Sequence, residues 1–182
     1  MKRIVPHLWF DKDAKQAANF YVRLFPNSKI NTTTVMKDTP SGDVDLVDFE
    51  LDGLPFKAIS AGPEFQLNPS VSLIVSCRTE TEIDALWASL AGGGAVLMPL
   101  GEYPFSRRFG WVQDRFGLSW QLILTDGEPP KPGIAPYLLF SGPARGKAGE
   151  AVRFYTDVFR ESGLDASARD VAATENPAVS AA

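Results

Sequence analysis

One histidine and one cysteine limit the chemistry open to this 182-residue chain. His7 lies in the aromatic stretch "IVPHLWF", and Cys77 ends the apolar run "SVSLIVSC". The carboxylates that invite attention are Asp48 and Glu50, two apart in "VDLVDFEL", and Glu64, which shares the loop "GPEFQLNP" with Asn68. Residues spaced by two share one face of a strand, so Asp48 and Glu50 raise the option of paired acid/base chemistry. Alternating acids on an antiparallel strand more often form its solvated face, and that is the expectation here. The densest group is "GWVQDRFGLSWQL", which holds Trp111, Asp114, Ser119 and Gln121. Asp114 opens the "DRFG" turn, where an aspartate bonds the following backbone amides. Period two places Ser119, Gln121 and Ile123 on one face and Trp120, Leu122 and Leu124 on the other.

Several chemistries are excluded by what the sequence lacks. No GxSxG elbow or GxxxxGK[ST] loop occurs, and a Ser-His-Asp triad would have to centre on His7. The glycine run "AGGG" at 91–94 follows a helical pattern and enters a strand, the reverse of a dinucleotide or methyl-donor loop. Cys77 reads as a small buried hydrophobe. A formal charge of -4 without a basic stripe argues against nucleic acid, and no apolar run is long enough to span a bilayer. With no signal-peptide pattern in "MKRIVPHLWFDKD", the expected location is the cytoplasm. An apolar content of 45% with four tryptophans is enough for a packed core.

These residues need elements to position them, and the chain supplies the same grammar twice. "RIVPHLWF" reads as a strand. A helix follows, capped by Asp11 or Asp13, with Ala14, Ala17, Ala18, Tyr21 and Phe25 on one side. "KINTTTVM", "VDLVDFEL" and "LPFKAIS" are three further strands, the last two joined by a "DG" hairpin. After the 61–69 loop, "SVSLIVSC" opens a second unit whose helix "TETEIDALWASLAGGG" carries a Thr79/Glu82 capping box and an Ile83/Leu86/Trp87/Leu90 stripe. "AVLMPL", "FGWVQD" and "LSWQLIL" complete it. The order is βαβββ twice, over about 3–62 and 69–125. Residues 126–133 read as a linker. The stretch 134–162 then echoes the opening: Pro6, Leu8, Phe10, Phe20, Tyr21, Phe25 and Ser28 match Pro136, Leu138, Phe140, Phe154, Tyr155, Phe159 and Ser162. A strand and helix cannot bury their apolar faces alone, so this piece is expected to lean on the main domain or a partner chain. The end, 163–182, has no apolar periodicity and is read as a disordered tail.

The two units, the opening "PHLWFDKDAKQAANFYVRLFPNS", the middle "SVSLIVSCRTETEIDALWASL" and the closing "GWVQDRFGLSWQL" together resemble the PhnB-like branch of the glyoxalase/bleomycin-resistance (vicinal oxygen chelate) superfamily, which carries a 3-demethylubiquinone-9 3-methyltransferase-like label. The resemblance covers about residues 3–125. It implies an α+β fold in which the paired units curl into a cup with the helices outside, a ligand inside the cup, and a homodimer. Ligand-binding candidates for that cup are His7, Glu64, Asn68, Trp111, Ser119 and Gln121.

In metal-using members of the superfamily, His or Glu side chains from the first and last strands of both units hold one divalent ion. The resemblance puts Gln121 at the usual Glu, and an amide is a poor anchor for a divalent cation. The first strand offers Pro6 or His7 according to register, and the remaining places offer Ala58 or Ser60 and Ser70 or Ser72. The expectation is a cup that binds an unidentified small molecule without a cofactor or catalytic metal. A metal-dependent lyase, isomerase or dioxygenase using His7, Glu50 and Glu64 is the alternative, and a stoichiometric drug-sequestering protein is a third.

Overall fold

The computed structural model describes residues 4–127 and 133–161. The expected linker falls largely on 128–132 and the expected tail on 163–182, and these, with Ser162, lie outside the described residues. The described residues form two compact units, Val5–Tyr137 and a smaller one that takes 138–161 together with Ile4.

In the larger unit the first half runs β1 (His7–Phe10), α1 (Ala14–Leu24), β2 (Lys29–Thr39), β3 (Gly42–Leu51) and β4 (Leu54–Ser60). The second half runs β5 (Val71–Cys77), α2 (Glu80–Ala91), β6 (Ala95–Tyr103), β7 (Ser106–Gln113) and β8 (Ser119–Leu124). Both halves are the anticipated βαβββ. In each, the first strand pairs in parallel with the last: β1 with β4, and β5 with β8. The sheets order as β1-β4-β3-β2 and as β6-β7-β8-β5-β9, where β9 is Ile134–Leu138. The echo of the opening strand therefore joins the second sheet, beside β5.

Local chemistry explains the boundaries. The β3–β4 hairpin turns on Asp52 (φ 48°) and Gly53 (φ 76°), and two successive positive φ values are what a two-residue hairpin with the sheet's twist requires. Asp13 occupies the N-cap of α1, but its side chain makes no capping bond. Instead the Ala14 N–H donates to Ser60 Oγ of β4 at 3.0 Å, so the helix start is fixed by a strand far along the chain. At α2 the Glu82 N–H donates to Thr79 Oγ1 (3.1 Å) as the capping box predicts, while the Glu82 carboxylate takes the Arg78 N–H (2.8 Å).

Alternation sorts the side chains. Leu8, Phe10, Phe49, Phe56 and Ala58 of the first sheet, and Leu73, Val75, Val112, Trp120 and Leu122 of the second, join Ala17, Ala18, Tyr21, Ile83 and Leu86 in one buried cluster under the helices. Gly110 of β7 is the seat of Trp87: a Cβ there would lie 2.6 Å from the indole and 3.2 Å from Leu100 Cα, so only glycine lets α2 come this close.

The smaller unit carries a 3-10 turn at Gly142–Ala144 and α3 (Ala148–Glu161). Phe154, Tyr155 and Phe159 are in ring contact along α3. Tyr155 is 42% exposed where its counterpart Tyr21 is fully buried. No helix among the described residues is long and apolar enough to cross a membrane.

Candidate functional site

The face of the five-stranded sheet turned away from the buried helix-side cluster collects most of the candidate residues. β8 contributes Ser119, Gln121 and Ile123, β7 contributes Phe109, Trp111 and Gln113, and β5 contributes Ser72, Ile74 and Ser76. Pairing aligns them in rows: Gln121 lies directly between Trp111 on one side and Ile74 on the other, and Met98 of β6 extends the row past Trp111. The next row places Ser119 between Ser72 and Gln113.

Polar atoms in the Ser119 row are satisfied internally. The Trp111 indole N–H donates to Ser119 Oγ at 2.7 Å, and the Ser119 and Ser72 hydroxyls share a hydrogen bond at 2.9 Å. Both serines are 1% exposed. The bonded hydroxyls lock the indole orientation, which makes Trp111 a fixed wall. Gln113 Nε2 donates to the Gly117 carbonyl (2.8 Å) and to that of Leu67 (3.5 Å), which ties the loop joining the two halves to this end of β7.

Gln121 differs. It is 7% exposed, and its amide has no hydrogen-bond partner among the described residues. Among those residues no side-chain nitrogen or oxygen sealed from solvent is left without a partner. The Gln121 amide therefore keeps contact with solvent while the rest of the side chain is buried. It offers one acceptor and two donor hydrogens between an indole and an aliphatic wall.

Asp114 anchors this strand pair from behind. Its Oδ1 accepts the Phe116 and Leu118 backbone N–H groups at 2.8 and 3.1 Å, as expected of the turn. Its Oδ2 accepts the Tyr21 hydroxyl and the Trp120 indole N–H, both at 2.8 Å, which the local pattern did not disclose. Burial pushes the carboxyl above its ordinary value, opposed by these donors. Burial and then the Asp114 charge hold the Tyr21 phenol well above its ordinary value, so it stays a donor.

The other candidates fall elsewhere. The alternative registers of the first strand resolve to His7 on the open face, since β1 starts there and buries Leu8 and Phe10. His7 belongs to the four-stranded sheet, in a row with Lys57 and Asp48. Partial burial and then the Lys57 charge lower its pKa from the ordinary histidine value, against the opposing pull of Asp48. Asp48 is exposed enough to be solvated and pairs with Lys57 (2.7 Å), which holds its carboxyl below the usual range. Glu50 is held by Asn31 (3.1 Å) and lies near Lys29 (3.8 Å). Glu64 is exposed on its loop. Asn68 is also exposed and uses its side-chain oxygen to accept from the Ser70 backbone and hydroxyl at the entry to β5. Cys77 is fully enclosed, and burial pushes its thiol up to about 12, so it stays protonated. Trp111, Ser119 and Gln121 thus come together, whereas His7, Glu64 and Asn68 share neither a strand row nor a hydrogen bond with them among the described residues. Ser72 completes the hydroxyl pair, and its place follows from parallel pairing, which sequence alternation alone does not give.

The donor set does not suit a divalent ion. Among the described residues no three His, Cys, Asp or Glu side chains gather into a cation site. The alternative trio of His7, Glu50 and Glu64 is dispersed over two strands and an exposed loop.

The sequence profile of the 3-demethylubiquinone-9 3-methyltransferase family matches residues 2–123. The chain belongs to this family. Its fold is shared with the PhnB protein from Bacillus cereus, which is 40% identical over 68% of this chain and all of that one, with a TM-score of 0.63. A protein from Pseudomonas aeruginosa matches over 70% of this chain and all of its own, at 22% identity and a TM-score of 0.61. The fosfomycin resistance protein FosX from Listeria monocytogenes, at 14% identity over 67% of this chain and 91% of its own, has a TM-score of 0.51 and shares the fold alone. No curated protein matches the sequence. The segment that carries β9 and α3 lies beyond the family match.

Proposed function

We propose that the protein binds a neutral, polar small molecule on the Gln121 face of the five-stranded sheet, without a resident metal. The observation that carries this reading is the Gln121 amide, unpartnered yet nine-tenths buried, in a row where the neighbouring hydroxyls and indole are already bonded to one another. A ligand that supplies one acceptor and one donor satisfies the amide, and Trp111 and Ile74 flank it with apolar surface. The neutral amide suits an uncharged partner, because burying an unpaired ligand charge there costs several kcal/mol.

Methyl transfer, the activity in the family's description, has no support from the glycines at 92–94. Gly93 has a φ of 78° in the stop of α2, and Gly94 lies against the Gln113 carbonyl and Asp114 backbone. The positive φ of the helix stop accounts for Gly93 and the close approach to the end of β7 accounts for Gly94, and neither leaves a strand to open a helix.

The test is metal content of the untagged protein by elemental mass spectrometry, with a thermal-shift series of divalent ions and chelator on wild type and Gln121→Glu. The wild type is expected to hold well under one equivalent of metal and to ignore chelator. Near-stoichiometric metal in the wild type would overturn the proposal. The same thermal-shift assay, run against a library of neutral polar compounds, is expected to give saturable hits that Gln121→Ala weakens by about ten-fold, the loss of one or two neutral hydrogen bonds.

A homodimer is part of the proposal. Val35 and Met36 on the sheet-edge strand β2, each 48% exposed, and Val96 on the other edge strand β6, 51% exposed, leave apolar surface for a second copy. Sedimentation equilibrium is expected to give twice the chain mass.

A further inference from the structure

The β5 edge is where the extra C-terminal strand lands, and the strand that lands there is a copy of β1. "IAPYLLF" at 134–140 repeats "IVPHLWF" at 4–10, with Ile, Pro, Leu and Phe at matching places. β1 and β5 are the corresponding first strands of the two halves, each paired in parallel with the last strand of its own half. β1 is an edge strand of the first sheet, and without β9 the second sheet would also end at an open first strand, β5. A chain with two open edges of equivalent strands is built to pair with itself.

The details show a seat made for β9. The Ser76 N–H donates to the Gly133 carbonyl at 2.8 Å, and the Gly133 N–H donates to Asp52 Oδ2 at 2.8 Å from the β3–β4 hairpin. Ile134 is 1% exposed and belongs to the main core. Since the Gly133 carbonyl points to β5, alternation turns the backbone groups of Ala135 and Tyr137 the same way and those of Ile134 and Pro136 to the outer side. Pro136 has no N–H to offer there, so the outer edge of β9 is a poor template for another strand. The β5 edge is thus exchanged for one that ends the sheet.

We propose that β9 occupies the β5 edge in place of the β1 strand of a second copy, and so blocks edge-to-edge joining of the two sheets between chains. The segment acts as a built-in stop on assembly.

The experiment uses full-length protein. Ile134→Asp removes the buried anchor and frees the β5 edge. Sedimentation velocity over a concentration series is expected to show self-association strengthened by at least about ten-fold over wild type, whatever the wild-type mass. Hydrogen exchange in the associated species is expected to keep the Ser72, Ile74 and Ser76 amides protected. A variant shown by near-ultraviolet circular dichroism to be folded, yet unchanged in association, would overturn the proposal. Association that leaves those amides unprotected would overturn it too. Should Ile134→Asp fail to fold, Asp52→Gly, which suits the positive φ and removes the Gly133 acceptor, carries the same two outcomes.

Discussion

Replacing Asp114 by alanine is expected to cost about 3 to 5 kcal/mol of folding stability, enough to unfold a marginal domain. The carboxylate is 4% exposed and accepts four hydrogen bonds, so its removal strands the Tyr21 hydroxyl, the Trp120 indole N–H and two backbone donors at once. Asn is not a neutral replacement. One amide oxygen can serve Phe116 and Leu118, but the amide NH2 then meets the Trp120 N–H donor to donor. Asp114→Asn is therefore expected to lose about 1 to 3 kcal/mol. Urea midpoints at constant slope would measure both, and an Asn variant as stable as wild type would count against the four-donor geometry.

The pH dependence has a definite sign. The folded-state pKa of Asp114 is raised, so folded protein holds this proton to a higher pH than the unfolded chain does. The resulting stability is fully present below the ordinary carboxylate pKa of about 4 and is lost as pH rises through the folded value. The advantage of wild type over Asp114→Asn is accordingly expected to narrow as pH rises through that window and to be constant above it.

Trp120→Ala is the second large effect, at about 3 to 5 kcal/mol. Trp120 is fully buried, stacks on Phe25 with centroids 5.5 Å apart and meets Tyr21 edge-on at 5.2 Å. Trp120→Phe keeps most of the packing and loses the donor to Asp114, so about 1 to 3 kcal/mol is expected. The two substitutions share a bond, and Trp120→Phe with Asp114→Asn should cost less together than the sum of the singles. Additive losses in that double-mutant cycle would refute the coupling. Because Trp120 and Gln121 are adjacent on β8 with opposite facing, the binding proposed at Gln121 is expected to weaken in Trp120→Ala even where the variant remains folded.

How far the sequence reached depended on whether a signal was local. The period-two pattern of 119–124 separated Gln121 from Trp120 correctly, and the helical spacing of Ala14, Ala17, Ala18 and Tyr21 named the buried side of α1. The "DG" hairpin and the Asp114 turn were legible for the same reason, since their bonds close within a few residues. Long-range partners were not. Ser60 capping α1, Tyr21 reaching Asp114 and Ser72 meeting Ser119 join residues 46, 93 and 47 apart, and each depends on the parallel pairings or on packing between the halves. The strand at 134–138 was legible, but its place beside β5 was not, because an edge takes its neighbour by main-chain bonds that residues of nearly any type can make.

The parallel closure of each half has a genetic consequence. Since β1 lies against β4 and β5 against β8, the chain enters and leaves each βαβββ unit at neighbouring strands. A segment whose two ends lie side by side can be copied in tandem or reopened elsewhere without disturbing its own sheet. Duplication of such a cassette gives two sheets from one ancestral coding stretch, and a partial further copy adds a strand and a helix without breaking either. The strand at 134–138 is the kind of addition this architecture tolerates, because it lies at the edge of the second sheet, beside β5.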